Sequence, residues 1–203
     1  MRDFENMKLV FASNNQHKLE EVRQILPTNI MVISLKEIGF LQDIDETGMT
    51  LEDNSALKAR TVWEWLISRG LSNEVDGVFA DDTGVEIFAL GGLPGVRTAR
   101  WAGDDACDVN NRQKALHELA GVEERAARFR TVVTLIKGGD VKQGEGVVNG
   151  KIAQEEEGDG GFGYDPVFIP EGYEYTFASL HIDEKNRISH RGRAIEALRE
   201  ILL

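Results

Sequence analysis

Two β-rich runs separated by a glycine pair constrain this chain more than any other feature. Phe129–Lys137 and Val141–Ile152 are rich in Val, Ile and Thr, and Gly138-Gly139 stands between them. This is the signature of a β-hairpin, because the favoured two-residue turn needs positive φ at both central positions. On either side the hydrophobic period becomes helical. His17–Leu26 puts Leu19, Val22, Ile25 and Leu26 on one face and stops at Pro27. From Leu51 to Arg69, Ala56, Ala59, Trp63, Leu66 and Ile67 recur at helical spacing, with Gly70 as the stop. A last helix, Arg191–Leu203, aligns Ala194, Ile195, Leu198, Ile201 and Leu202. Strands are expected at Lys8–Ala12, Ile30–Leu35 and Gly77–Ala80, while Val85–Leu90 fits strand or helix equally. Asp108 is expected to cap a helix ending at Gly121. A hairpin set among intermixed strands and helices predicts an α/β (α+β) domain, a mixed central β-sheet flanked by helices.

A chain of 203 residues fits one domain, or one domain with two lobes. Residues 1–6 read as a flexible extension, and residues 7–203 as a single two-lobed unit. The formal net charge of −12 argues against non-specific binding to nucleic acid, which draws its affinity from many Lys and Arg contacts. A small polyanion remains compatible if basic residues gather at one place. Cys107 is the single cysteine, so there is no intrachain disulfide, and a reducing compartment, the cytoplasm, is expected. No apolar run approaches a signal peptide or a membrane span.

Four polar clusters lie at the ends of apolar runs. Ser13-Asn14-Asn15-Gln16-His17-Lys18 follows a strand and opens a helix, a place where free N–H groups and Lys18 can meet an anion. The alternative is plain capping by Ser13 or Asn15. Asp81-Asp82-Thr83-Gly84 places two carboxylates at the end of an apolar strand, which suits Mg²⁺ or a simple turn. Gly158–Pro166 contains G-x-G-x-x-G, but Pro166 stands where a dinucleotide-binding helix would begin. It therefore reads as a tight turn or as a wall for a base, with Phe162 or Tyr164 stacking and Asp165 bonding a base edge. Lys185-Asn186-Arg187-Ile188-Ser189-His190-Arg191 gathers cations just before the last helix, where the helix dipole disfavours them unless an anion is bound.

In this order, these clusters resemble the inosine triphosphate pyrophosphatase family over residues 8–202. The S/T-x-N-x-x-K pattern is Ser13, Asn15 and Lys18. Glu46-Thr47-Gly48 is followed by Asp53-Asn54-Ser55-Ala56-Leu57-Lys58-Ala59, one residue longer than the E-N-A spacing. A-D-D-[ST]-G is Ala80–Gly84, with Thr83 where serine is common. G-L-P-G-V-x-[ST]-A-R is Gly92–Arg100; G-F-G-Y-D-P is Gly161–Pro166; S-H-R is Ser189–Arg191. Each motif alone is weak, but six in order are specific.

The resemblance implies a two-lobed fold with the active site in a cleft, a homodimer, and hydrolysis of ITP, dITP and XTP to the monophosphate and pyrophosphate. It implies Mg²⁺ held by Glu46 and Asp82, with Asp82 as general base. Ser13, Asn14, Asn15, Lys18 and Lys58 would bind the triphosphate, and Thr83 would also bind the substrate. Phe162, Gly163, Tyr164, Asp165, Lys185, His190 and Arg191 would form the base pocket. Hypoxanthine and xanthine carry an acceptor at position 6 and a donor at N1, and adenine reverses both. A dry pocket built for the first pattern rejects adenine at about 1–3 kcal/mol for each unpaired group. Two other readings stand beside this one: a non-catalytic purine-nucleotide-binding regulatory protein, and a pyrophosphatase for other modified nucleotides on a related fold.

Overall fold

A computed structural model describes residues 6–103 and 107–202; the expected N-terminal extension, apart from the exposed Asn6, lies outside the described residues, as does Leu203. The strands are β1 (Met7–Phe11), β2 (Ile30–Ser34), β3 (Gly77–Ile87), β4 (Leu93–Gly95), β5 (Ala126–Lys137), β6 (Asp140–Ile152) and β7 (Phe168–Pro170). The α-helices are α1 (Gln16–Ile25), α2 (Leu51–Ser68), α3 (Asp108–Glu118), α4 (Ile182–Ile188) and α5 (His190–Leu202). The strands form one mixed sheet in the order β2-β1-β3-β5-β6-β7, with β4 beside β3. β1 is parallel to β2 and β3, whereas β4 is antiparallel to β3 and β7 to β6. The expected hairpin is β5–β6, and its two linking glycines have φ of 59° and 91°, as a type I′ turn requires. No helix among the described residues is long and apolar enough to cross a membrane.

The chain divides into two compact units. The first comprises the chain up to Asp82, Val132–Glu145 and the stretch from Ala194 onward. Here β1 and β3 are covered on both faces, which is why they read as continuous apolar runs rather than as alternation. Leu9, Phe11 and Phe79 pack with Leu19 and Val22 of α1 and with Ala194, Ile195 and Leu198 of α5. Val10, Ala12, Val78 and Ala80 pack on the other side with Ala59, Val62 and Leu66 of α2. The helix ends follow local chemistry. Asn15 Oδ1 accepts the Lys18 N–H at 3.1 Å, and Thr50 Oγ1 accepts the Asp53 N–H at 3.1 Å. Gly70, with φ of 70°, follows α2 as a left-handed stop.

The second unit comprises Thr83–Thr131 and Gly146–Arg193. Its core joins Val85 and Ile87 of β3 to Ala115 of α3, Phe129 of β5, Ile152 of β6, and the aromatic pair Phe168 and Phe177. Phe129 meets Phe168 edge-on at 4.7 Å between centroids. The buried Arg125 serves this frame. Its guanidinium donates to the carbonyl oxygens of Leu119, Ile152 and Ala153 at 2.8, 2.8 and 2.6 Å. A cation at the carboxyl end of α3 also suits the helix dipole.

Several expectations change. The strand expected to end at Ala80 runs on through Asp81-Asp82-Thr83-Gly84 to Ile87. This segment is not a turn, because ladder pairing continues and ion pairs offset the carboxylates. Val85–Leu90 is strand to Ile87, then one 3-10 turn. Cys107, not Asp108, occupies the N-cap of α3; the Asp108 carboxylate is engaged by Gly163. The cationic stretch at 185–191 does not merely precede the last helix. Lys185–Ile188 lie within α4, and His190 and Arg191 open α5.

The corner between α4 and α5 depends on Gly192. A methyl group there would collide with the Asn186 carbonyl oxygen. Gly192→Ala is therefore expected to destabilise the protein by about 1–3 kcal/mol, against the usual helix preference for alanine. The urea unfolding midpoint measures this.

Candidate active site

The first unit gathers three carboxylates and two ammonium groups around Asp81 and Asp82. Lys18 Nζ lies 3.1 Å from Asp81 Oδ1. Lys58 Nζ lies 2.6 Å from Glu46 Oε1 and 3.3 Å from Asp82 Oδ1. Asn54 Nδ2 donates to Asp82 Oδ2 at 3.3 Å. Asn54 and Lys58 are one turn apart on α2, so one helix face presents both to Asp82. The expected extra residue is not an insertion: Asp53–Ala59 has the same seven positions as E-N-A-x-x-K-A, with Ser55 in place of the alanine, and it lies within this helix. Ser55 Oγ lies 3.0 Å from the Ala80 carbonyl oxygen and 2.8 Å from Thr134 Oγ1, which ties α2 to β3 beside the carboxylates.

Glu46 is brought here by the loop before α2. Asn54 Oδ1 accepts the Gly48 N–H at 2.7 Å, and a Cβ at Gly48 would lie 2.5 Å from that same oxygen. Only glycine fits so close an approach. Asn54 thus joins the Glu46 loop to Asp82.

Burial raises the Asp82 carboxyl above the ordinary range. Lys58 and Lys18 oppose the shift, but burial with Glu46 and Asp81 outweighs them. Burial pulls Lys58 down, yet Asp82, Glu46 and Asp81 outweigh it and hold its ammonium above the usual value. Glu46 and Asp82 converge on one cationic position, which Lys58 Nζ fills. This donor set fits a hard divalent cation, since Mg²⁺ commonly takes one or two carboxylates and completes its shell with phosphate and water. Among the described residues no three His, Cys, Asp or Glu side chains assemble to hold a metal by themselves.

Ser13, Asn14 and Asn15 lead from β1 into α1. Ser13 Oγ accepts the Asn15 N–H at 3.2 Å, and Asn14 Nδ2 donates to Asp43 Oδ1 at 3.2 Å. Asn15 is the cap, which settles the choice between it and Ser13.

The second unit holds the other expected residues. Phe162 is half-buried, and its N–H donates to Asp165 Oδ2 at 2.8 Å. Lys185 Nζ stands 5.2 Å from its ring centroid, and the Arg191 guanidinium carbon 5.5 Å, within cation–π range. Asp165 is also paired with Lys185 at 2.8 Å, both side chains being 4% exposed. Gly161 has φ of 70°, and a Cβ there would strike the Asp165 carboxylate. His190 stacks on Phe129 at 4.3 Å, and its Nδ1 lies 2.7 Å from Thr131 Oγ1. Thr131 Oγ1 lies 2.8 Å from Thr83 Oγ1, to which Arg191 Nη2 donates at 3.2 Å. Thr83 directly follows Asp82 on β3.

Tyr164 is placed differently from Phe162. It is 2% exposed within the apolar core, its hydroxyl 3.5 Å from the Thr98 carbonyl oxygen, and burial pushes its phenol pKa up. Phe162 is the ring left partly open, and Tyr164 anchors the loop behind it. Asn54 and Thr131 are the residues missed by reasoning from sequence. Asn54 lies inside a quoted motif, as does Asp81, which the sequence already marked as one of two carboxylates suited to Mg²⁺ and which pairs with Lys18. Thr131 carries no local signal, because its partner His190 is 59 positions away.

Comparison with known proteins supports the resemblance. The Ham1 family model matches residues 9–201. A dITP/XTP pyrophosphatase of Porphyromonas gingivalis is 47% identical over 97% of this chain and 97% of its own length. One from Flavobacterium psychrophilum is 45% identical over 95% and 97%. The solved Ham1 protein of Staphylococcus aureus superposes with a TM-score of 0.83 at 37% identity, covering 96% of this chain and 97% of that one. Sequence and fold agree over nearly the whole length, and the chain belongs to the Ham1 family.

Proposed function

We propose that this protein hydrolyses non-standard purine nucleoside triphosphates, dITP, XTP and ITP, to the monophosphate and pyrophosphate. The observation that carries this reading is the buried Asp82, held by Asn54 and by a lysine shared with Glu46. Near-full-length relatives named dITP/XTP pyrophosphatase support the same chemistry.

In this reading Glu46 and Asp82 hold Mg²⁺. When bound, that ion polarises the phosphate and acidifies nearby water. Asp82 takes the proton from the attacking water at a carboxylate oxygen. Its raised affinity for a proton suits that task. Lys18, Lys58 and the first turn of α1, with Ser13, Asn14 and Asn15, bind the phosphates and offset charge on the leaving pyrophosphate. Phe162 stacks on the purine. Lys185, His190 and Arg191 supply donors suited to an oxo group at position 6, with Gly163, Tyr164 and Asp165 shaping that pocket. A homodimer, as the resemblance implies, placed in the cytoplasm in keeping with the single cysteine, completes the proposal.

The test is pyrophosphate release from dITP, XTP and ITP, with ATP as control. Release is expected with Mg²⁺, with ATP slower by at least several hundred-fold in kcat/KM, and to stop when the metal is chelated. Equal rates on ITP and ATP would refute the selectivity, and binding of ITP without turnover would favour the regulatory reading.

A further inference from the structure

The glycine loop is gripped by α3. Asp108 Oδ2 accepts the Gly163 N–H at 2.8 Å. Arg112 Nη1 donates to the Gly163 carbonyl oxygen at 2.9 Å. Asp108 and Arg112 are one turn apart, so a single helix face holds both main-chain groups of one residue. Gly163 has φ of 61° and no side chain to anchor it, and glycine is the residue with the most backbone freedom to lose. Arg112 is itself steadied by Glu156, whose carboxylate also accepts from Gln113 at 2.8 Å. The preceding loop is tied to the same helix, since Asn111 bonds both the Ala99 carbonyl oxygen and the Ala102 N–H. Asp108 is exposed and does not cap α3, so its bond to Gly163 is not accounted for by the helix itself.

We propose that α3 is a positioning element for purine selection: Asp108 and Arg112 fix Gly163, and through it the setting of the adjacent Phe162 ring. This rests on the functional reading above, in which Phe162 stacks on the base. Asp108 and Arg112 are positioning residues that act through Phe162. Their loss should weaken nucleotide binding rather than chemistry, raising KM while leaving kcat nearly unchanged.

Two measurements on Asp108→Ala and Asp108→Asn test this. The first needs no substrate. Amide hydrogen exchange at Gly163 should quicken by about tenfold in Asp108→Ala, as one hydrogen bond is lost. The Phe162 amide, held by Asp165, should stay slow and serves as internal reference. Asp108→Asn keeps an acceptor oxygen and should behave as wild type. The second is steady-state hydrolysis of ITP. KM should rise roughly 5- to 10-fold in Asp108→Ala, with kcat within about twofold and recovery in Asp108→Asn. Wild-type exchange and KM in Asp108→Ala would overturn the proposal. So would a fall in kcat and thermal stability common to both variants, the mark of a merely structural residue. If the wild-type protein does not hydrolyse ITP, the functional reading fails instead; Gly163 exchange then decides the clamp, and an unchanged rate in Asp108→Ala rejects it.

Discussion

Replacing Asp82 with Asn is expected to lower kcat for ITP by about 10²–10⁴-fold, the usual contribution of a positioned general base, while the protein stays folded. Folding should survive because Lys58 keeps Glu46, its closer partner at 2.6 Å. Circular dichroism and a urea titration establish the fold, and pyrophosphate release reads the rate. Full activity in Asp82→Asn would remove Asp82 from the role of base. The same variant has a signature in metal-free protein. The Asp82 pKa is higher in the folded state than its ordinary value. Its stabilising contribution is therefore complete below the unfolded value, about 3.9, and is lost as pH rises through the raised folded value. Asp82→Asn lacks this loss. Stability of the variant relative to wild type should accordingly increase with pH across that window in the presence of a chelator. A difference that is flat or falls with pH would contradict the account of the buried carboxylate.

The second large effect is expected at Asp165. Asp165→Ala removes the partner of the buried Lys185 and the acceptor for the Phe162 N–H in one step. Breaking a buried ion pair from one side costs about 3–5 kcal/mol. For a chain of this size that corresponds to a drop in Tm on the order of 10 °C. Because the glycine loop loses its hold on Phe162, discrimination between ITP and ATP should fall with stability. Asp165→Asn retains an acceptor and should fall between Asp165→Ala and wild type. Calorimetry and paired ITP and ATP kinetics check both parts. Wild-type Tm in Asp165→Ala would show that the pair contributes little.

Much of the architecture was legible from local pattern. The β5–β6 hairpin followed from a glycine pair between β-rich runs, and α1, α2 and α5 from apolar residues at helical spacing. Continuity was harder to read. β3 looked as though it ended at Ala80, because adjacent carboxylates in a strand interior are unfavourable without compensation. That compensation comes from Lys18 and Lys58, which lie 63 and 24 positions away from their partners. Asp108 looked like a cap because acidic residues favour helix starts, yet its carboxylate is used 55 residues on, at Gly163.

The sequence by itself determined the β5–β6 hairpin, the helices α1, α2 and α5, the apolar faces that build the cores, and six ordered motifs that place the chain in its family. These depend on neighbours within a turn or a strand, so short-range spacing encodes them. Tertiary structure alone decided which polar groups meet. It paired Lys18 with Asp81, put Lys58 between Glu46 and Asp82, and joined Arg191 to Thr83 across 108 positions. It also separated Phe162, left partly open, from Tyr164, sunk in the core two residues later. Such choices follow from strand register and helix packing, where a shift of one residue exchanges the faces of a strand, and no local pattern records them.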